Sequence, residues 1–426
     1  MDVEDAEVLV VGAGLAGLRC AGVLAAAGRE VRIWEAADDI GGRIRTDVID
    51  GFTCDRGFQV LNPAYPELGH CVDVHALQLQ SFGAGVCVRR ERGSTIVAHP
   101  LRQPARVLGM LAGGVIRPAG LAALARWAGP ALRPSQLTTH SDSIQNSDVT
   151  LGAALDRSGV RGELRRVIDR FLAGVLLDDG QSTSNAFTLL LIRMFAIGVP
   201  ALPAEGMQAL PRQLASPLTD RVSTGRRVTH LANAGAGWRV TAEDGAVLQA
   251  RQVVIAADAR STAQLIGDEP PPTRGVVTDW WATDNPPTGP PMLWVDGRAG
   301  RQGPVVNTAV ISAAAPSYAP PGRHLIQASA LIGRDHPEPT ASQMRRHAAA
   351  ILGTDAADWQ PVIRHVVPDA LPAQFPPLVV RRPIRAPSGA WMCGDHRDTA
   401  SIQGALVSGR RTAAAVLRAL QSGERC

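Results

Sequence analysis

The chain contains no lysine and only two tyrosines, Tyr65 and Tyr318. All 43 basic residues are therefore arginines, which together with abundant alanine, glycine and proline is typical of GC-rich coding. No run of about 18 consecutive apolar residues occurs, so the sequence predicts no membrane-spanning helix. The net charge of +4 is too small for 426 residues, and too dispersed, to indicate nucleic-acid binding.

The six cysteines form no CxxC pair and no metal-ligand spacing, so we expect free thiols and no metal site. Free buried thiols fit a reducing compartment. The first apolar strand begins near Val8, which leaves no room for a signal peptide before it. Together these absences predict a cytoplasmic protein.

The opening stretch has the pattern of a βαβ unit. An apolar run, Val8–Val11, is followed by a GxGxxG turn, an alanine-rich helix and a second strand, Val31–Trp34. This context predicts a dinucleotide site, with Gly12 in the tight turn, Gly14 beside the pyrophosphate and Gly17 at the helix–strand contact. The alternative is a doubly wound fold whose crevice binds nothing.

An acidic residue stands where a ribose-binding acid is expected. Glu35 follows Gly17 by 18 residues, and its carboxylate would repel the 2′-phosphate of NADP. We therefore predict nucleotide contacts from Gly12, Ala13, Gly14, Leu15, Ala16, Gly17, Glu35 and Ala36.

The next segments resemble the FAD-dependent superfamily of flavin amine oxidases, protoporphyrinogen oxidases and phytoene-desaturase-like enzymes. Gly41-Gly42-Arg43 follows the acidic residue, as in that superfamily, and Phe52–Val60 has the place of a strand and turn that pass by the flavin. The resemblance implies that Gly42 and Arg43 bind the pyrophosphate. It also implies that Gly57, Phe58 and Gln59 lie near the flavin ring. For Gln59 the alternative is a strand residue bonded to neighbouring backbone.

The C-terminal stretch carries a second part of the resemblance. An apolar strand ends in Gly394-Asp395, and a helix opens with Gln403-Gly404-Ala405. In the superfamily these segments contact the ribityl chain and the flavin edge, and the position matched by Val228 contacts the adenine. His396 is either a contact to flavin or substrate, or a loop residue without a chemical role. Gln59 and His396 are weak catalytic candidates, and Cys393, inside the strand, is a poor site for covalent attachment. We therefore expect non-covalent FAD.

The resemblance implies an α/β fold with a Rossmann-like FAD-binding domain and an inserted α+β substrate domain, an antiparallel sheet plus helices. The FAD-binding domain would comprise residues 1–61, 203–266 and 385–426. The substrate domain would comprise residues 62–202 and 267–384. Trp280, Trp281 and Trp294 either form a flat-walled pocket or take part in ordinary sheet packing.

Apolar helices with scattered arginines are predicted at Val107–Ile116 and Leu121–Ala128. They either cover a substrate cavity or lie on a membrane surface, in which case the protein would be peripheral at the membrane. Residues 134–148 are predicted to form an exposed loop, with His140 a solvated loop residue.

Further elements follow from pattern and capping signals. Helices are predicted at 161–177, at 208–218, and from a Ser182 or Thr183 cap to Ile197; strands are predicted at 246–249 and 253–257. Asp178 and Asp179 are interpreted as a helix-end turn.

The predicted function is an FAD-dependent oxidoreductase that dehydrogenates or desaturates a small or lipophilic organic molecule, with oxygen or a quinone as acceptor. One alternative is an amine oxidase with atypical site residues, because the lysine that many such enzymes place near flavin N5 is absent and tyrosine is scarce. Another is a flavoprotein in which FAD is structural or supports a redox-neutral isomerisation.

Overall fold

The computed structural model describes residues 4–98, 118–132, 147–235, 237–300 and 302–422. The predicted helix at 107–116, the loop at 134–146 and His140 lie outside these ranges. Within them, no helix is both long enough and apolar enough to cross a membrane.

The described residues form eighteen strands and ten α-helices, numbered here in chain order. The strands are β1 Glu4–Val11, β2 Val31–Trp34, β3 Thr46–Ile49, β4 Phe52–Asp55, β5 Gln80–Ser81, β6 Gly85–Arg89, β7 Ser94–Ala98, β8 Ala201–Leu202, β9 Val222–Ser223, β10 Val228–Ala234, β11 Gly237–Ala242, β12 Val247–Ile255, β13 Thr273–Thr283, β14 Leu293–Asp296, β15 Val305–Val310, β16 His324–Ile332, β17 Gln360–Pro372 and β18 Trp391–Met392. The helices are α1 Leu15–Ala26, α2 Pro118–Ala128, α3 Leu151–Ser158, α4 Gly162–Leu176, α5 Asn185–Ile197, α6 Ala209–Ala215, α7 Ala259–Ile266, α8 Ile311–Ala314, α9 Ala341–Leu352 and α10 Ile402–Ser422.

The first sheet has the strand order β10-β11-β12-β1-β2-β9, with β18 also paired to β12. β1 runs parallel to both β2 and β12, and its residues Val8, Leu9 and Val10 are fully buried. This is why the second half of β1, Val8–Val11, is an uninterrupted apolar run. The strands predicted at 246–249 and 253–257 are one continuous strand, β12, which pairs with β11 on one edge and with β1 on the other.

α1 packs closely on the first sheet and on α10. A Cβ atom at Gly17 would stand 2.0 Å from the Gly12 carbonyl oxygen, and one at Gly409 would stand 2.3 Å from the Ala16 carbonyl oxygen. Backbones this close leave no room for a side chain. Glycine at these positions therefore sets the distance between the glycine-rich turn, α1 and α10.

The second sheet has the order β17-β13-β16-β15-β14-β6-β7, antiparallel except where β14 meets β6. One face packs on α9, where Trp281, Trp294 and Trp359 join Met344 in an apolar cluster. Trp280 is buried in the main core. The tryptophans therefore take part in sheet packing.

Helices α2 to α5 form a layer beside the second sheet, with Trp127, Leu155, Leu172 and Phe187 in one cluster. The cap of α5 is Ser184, whose Oγ accepts a hydrogen bond from Phe187 N at 3.1 Å. The predicted caps were wrong, because the Ser182 and Thr183 hydroxyls both donate to Asp178 instead.

The helix predicted at 208–218 is shorter than expected. The α-helical part, α6, ends at Ala215, and a 3₁₀ helix continues over Ser216–Arg221. Pro217 lacks an N–H group and its ring clashes with the preceding helical turn, which ends the α-helix there.

Candidate FAD and substrate site

A cavity of about 1330 Å³ runs from the carboxyl ends of the first sheet to the inner face of the second sheet. Pockets for a single small ligand usually measure about 300–1,000 Å³. The cavity is therefore large enough for a cofactor together with a substrate.

Most residues predicted to contact the nucleotide line this cavity. They are Gly12, Gly14, Leu15, Ala16, Glu35, Ala36, Gly42, Arg43, Gly57, Phe58, Gln59, Val228, Gly394, Asp395 and Ala405. Ala13, Gly17, Gln403, Gly404 and His396 are not among the lining residues. The opening and closing motifs thus meet on one cavity although they stand at opposite ends of the chain.

Two backbone N–H groups hold the Glu35 carboxylate in place. Its Oε2 accepts from Ala13 N at 2.6 Å and its Oε1 accepts from Ala37 N at 2.9 Å. Glu35 is only 8% exposed. Each carboxylate oxygen keeps a further acceptor position. The geometry therefore leaves Glu35 able to accept ribose hydroxyls, and it gives Ala13 a supporting role through its backbone.

The glycine-rich turn forms an open cradle for phosphate. A Cβ atom at Gly14 would meet nothing within 4 Å, while a Cβ at Gly42 would stand 3.3 Å from Gly14 Cα. The space into which a Gly14 side chain would project is therefore empty, while the Gly14 backbone packs closely against Gly42. Backbone approach of this kind, at the N-terminus of α1, suits a pyrophosphate.

Arg43 is paired within the protein. Its Nη2 donates to Asp395 Oδ1 at 2.6 Å and its Nη1 donates to Ala370 O at 2.8 Å. Nearby carboxylates raise its guanidinium pKa against the opposing effect of burial. The pair links the two distant motifs at the cavity, and its two charges offset each other.

Gln59 shows features of both alternatives: it bonds to neighbouring backbone and it also lines the cavity. Its Nε2 donates to Arg43 O at 2.7 Å, so backbone fixes the side chain, yet the residue also lines the cavity. Its Oε1 is buried without a hydrogen-bond partner among the described residues. An acceptor left unpaired is what a ligand with an N–H group, such as a flavin ring, would satisfy.

His396, Gln403 and Gly404 do not line the cavity. The His396 ring is 4% exposed and packs against Gly394, and burial lowers its pKa to about 4. Gly404 N donates to Ser401 Oγ at 3.0 Å, and Gln403 Oε1 accepts from Glu67 N at 3.0 Å. In this structure Ser401 and Ile402 line the cavity where Gln403 and Gly404 had been predicted.

The far part of the cavity, which we call the apolar compartment, is formed mainly by α2, α4 and α5. Its wall consists of Leu121, Leu124, Trp127, Leu132, Val167, Ile168, Phe171, Leu172, Val175, Leu191, Ile192 and Phe195. Phe171 and Phe195 contact each other with ring centroids 5.8 Å apart. α2 thus covers part of the cavity. This is the arrangement predicted for Leu121–Ala128 by the alternative in which these helices cover a substrate cavity.

Charged residues line only the other part of the cavity. Among the described residues they are Glu35, Arg43, Arg56, Arg226, Arg227, Asp258 and Asp395. All stand in turns after strands of the first sheet or, for Arg56, after β4. Within the described ranges, no cluster of His, Cys, Asp and Glu has the geometry of a metal site.

The two tyrosines do not form an aromatic pair. Tyr65 lines the cavity, and burial raises its pKa to about 12. Tyr318 is fully buried elsewhere, where its hydroxyl donates to Asp55 Oδ2 at 2.9 Å. Tyr65 therefore stays neutral at physiological pH.

Asp55, the last residue of β4 and two residues before Gly57, gives a testable pH dependence. Its Oδ1 accepts from Thr46 Oγ1 and Met207 N, and burial raises its pKa to about 6. An unfolded aspartate has a pKa of about 3.9, so the folded state holds the proton more tightly and loses stability as pH rises through this window.

We expect Asp55→Asn to remove this loss, because an amide does not ionise: its oxygen can still accept from Thr46 and Met207, and its nitrogen can donate to the Tyr318 hydroxyl oxygen. Between pH 5 and pH 7, wild type should lose about 1 kcal/mol of unfolding free energy relative to the variant. Urea unfolding at both pH values measures the difference. An equal response of the two proteins would show that Asp55 does not titrate in this range.

The fold and the site define a flavoprotein oxidoreductase in which a dinucleotide-binding sheet faces a substrate sheet across one cavity. Residues 15–417 match the family described as flavin containing amine oxidoreductase, and the chain belongs to that family. FAD is its cofactor.

Relatives identify the same class. The chain is 43% identical over 74 residues to putrescine oxidase from Kocuria rosea, and the match covers 17% of this chain and 16% of the relative. It is 37% identical over 71 residues to protoporphyrinogen oxidase 2 from Arabidopsis thaliana, covering 17% and 14%. The matched segments thus span less than a fifth of these relatives.

Solved structures show the fold along nearly the whole chain. A putative protoporphyrinogen oxidase from Exiguobacterium sp. 255-15 superposes with a TM-score of 0.72 at 17% identity, covering 98% of this chain and all of the other. Putrescine oxidase bound to putrescine superposes with a TM-score of 0.70 at 18% identity, with the same coverage.

Proposed function

We propose that this FAD-dependent oxidoreductase dehydrogenates or desaturates an uncharged, mostly apolar organic molecule. The observation that carries the proposal is the apolar compartment, whose described wall presents no charged side chain. Removing a charge from water into such a space costs several kcal/mol unless a partner is present. A long apolar molecule instead gains about 25 cal/mol for each Å² that it buries.

The chain's own residues bind and orient both molecules. We assign the ribose to Glu35, the pyrophosphate to the turn at Gly12–Gly14 with Arg43 nearby, and the ring to the wall at Gly57–Gln59. Bound there, FAD supplies the capacity to accept a hydride. The compartment wall excludes water and positions the bond to be oxidised. The discontinuous domain division, with boundaries after residues 61, 202, 266 and 384, is part of this proposal. It is supported by the strand composition, because each of the two large sheets takes its strands only from the segments of one domain.

The competing function is oxidation of an amine, as the name putrescine oxidase states for one relative. A diamine carries two positive charges at neutral pH. No carboxylate stands in the described compartment wall to receive them. The final electron acceptor, oxygen or a quinone, stays a prediction.

Anaerobic reduction of the bound FAD tests the choice. We expect long-chain alcohols, unsaturated ketones or polyenes to bleach the oxidised-flavin absorbance, and putrescine and amino acids to leave it unchanged. Dithionite reduction is the control that the flavin is redox-competent. Bleaching by amines alone would contradict the proposal, and reduction by dithionite but by no organic donor would favour a structural or redox-neutral FAD.

A further inference from the structure

A row of buried polar side chains crosses the cavity face of the second sheet. Asn307 on β15 is paired with Ser329 on β16, and Ser329 is paired with Thr278 on β13. Gln327 stands two residues before Ser329 on the same face, because side chains two apart on a strand share a face. Asn307 and Ser329 line the cavity.

These side chains form one hydrogen-bonded chain. Ser329 Oγ lies 2.8 Å from Thr278 Oγ1 and donates to Gln327 Oε1 at 3.3 Å. Gln327 Nε2 donates to Asn307 Oδ1 at 3.3 Å. Exposure is 4% for Asn307 and 1% or less for the other three residues, so water does not replace these bonds.

The donor and acceptor roles along this row of hydrogen bonds follow from Thr278, at its buried end. The Thr278 hydroxyl has no hydrogen-bond partner other than Ser329 Oγ among the described residues, so its proton is satisfied only by donation to that oxygen. Ser329 then donates to Gln327, and Gln327 donates to Asn307. The reverse order would leave the buried Thr278 proton unpaired, which is costly.

The chain ends in a free donor at the cavity. With its Oδ1 accepting from Gln327, Asn307 directs its amide nitrogen away from the network. This nitrogen, Nδ2, stands 2.4 Å from where a Cβ of Gly174 would be, so the absence of a side chain on α4 leaves space for it. Nδ2 has no acceptor among the described residues.

The wall at Gly57–Gln59 contacts the same sheet. A Cβ atom at Gly57 would stand 3.8 Å from the Val276 side chain, and Val276 lines the cavity two residues before Thr278. Asn307 lies two strands further along the same sheet, against Gly174 of α4, whose neighbours Leu172 and Val175 belong to the apolar compartment.

We propose that Asn307 binds an uncharged oxygen acceptor, a carbonyl or hydroxyl oxygen, of an otherwise apolar substrate. This specifies the substrate class and rests on the proposed function. An N–H donor stabilises an oxygen lone pair and disfavours an ammonium group, which has only donors to offer. An alkane would leave the buried donor unpaired, so the ketone of the same length binds more tightly.

Calorimetric titration of the FAD-loaded protein tests this with 2-dodecanone, dodecane and dodecylamine. We expect the ketone to bind about tenfold more tightly than the alkane, and the protonated amine to bind more weakly than the ketone. Asn307→Leu should abolish the advantage of the ketone while retaining alkane binding. Asn307→Asp, of the same shape but with an acceptor in place of the donor, should reverse the preference towards the amine.

Thr308→Ser is the matched control, because it keeps the hydroxyl that donates to Gln327 O at 2.6 Å. Thr308 is the next residue on β15, is equally buried, and faces the α9 side, where it pairs with Ala328 and Trp294. It should keep the wild-type preference. Equal affinity of wild type for ketone and alkane, or an unchanged preference in both Asn307 variants, would overturn the role of Asn307.

The outcomes separate this inference from the proposed function. If all three ligands bind alike, the apolar compartment stands and the assignment to Asn307 fails. If wild type binds only the amine, or none of the three, both fail. Melting temperature and flavin content of each variant show that it is folded and loaded.

Discussion

Glu35→Ala is expected to abolish retention of FAD through purification, while the apoprotein remains folded. The carboxylate is the acceptor assigned to the ribose hydroxyls, and hydrogen bonds to a charged group contribute about 1.5–3 kcal/mol each. Its loss also leaves Ala13 N and Ala37 N without their acceptor at the glycine-rich turn. We expect the Kd for FAD to rise about 100-fold or more.

Fluorescence titration of the apoprotein with FAD measures this Kd. Glu30→Ala is the control, because Glu30 is an exposed acid in the same βαβ unit and does not line the cavity. It should bind FAD like wild type. Undiminished affinity in Glu35→Ala would remove Glu35 from the cofactor site.

Gly17→Ala is expected to damage both stability and FAD binding. The added methyl group would stand 2.0 Å from Gly12 O and 3.0 Å from the Ala256 side chain, so α1 must move away from the turn. Overpacking of this kind costs about 1–3 kcal/mol, and here rigid backbone must give way. Because the same shift displaces the N-terminus of α1, flavin content should fall as well.

Gly22→Ala provides the comparison within the same helix. A Cβ atom at Gly22 would meet nothing within 4 Å, so the substitution should stabilise the protein by about 0.5–1 kcal/mol through helix propensity. Melting temperature and bound flavin measured on both variants are the readouts. If Gly17→Ala behaved like Gly22→Ala, close contact would not be the reason for glycine at position 17.

The cofactor half of the cavity could be predicted because its signals are local. The GxGxxG turn, Glu35 and Gly394-Asp395 each follow a strand, and the carboxyl ends of strands in one parallel sheet lie at the same edge. The family resemblance predicted FAD as well. The fold class is confirmed by the likeness to solved structures.

The substrate half could not be predicted in the same way. Strands β6, β7, β13 and β17 carry no turn or motif that fixes their partners, and Asn307 meets Ser329 only through the register of β15 and β16. The position of Gln403 also depends on a tertiary contact, since its Oε1 accepts from Glu67 N, whereas the Gly404 N–H is taken locally by Ser401 Oγ. Contacts between distant segments decide which side chains reach the cavity.

A crystal structure of the FAD-bound protein tests the central claim most directly. It should place the adenosine ribose on Glu35 and the isoalloxazine ring beside Gly57–Gln59. The open face of the ring should look into the apolar compartment, with Asn307 at its border. A ring bound elsewhere, or a compartment filled by cofactor or protein so that no substrate space remains, would contradict the account.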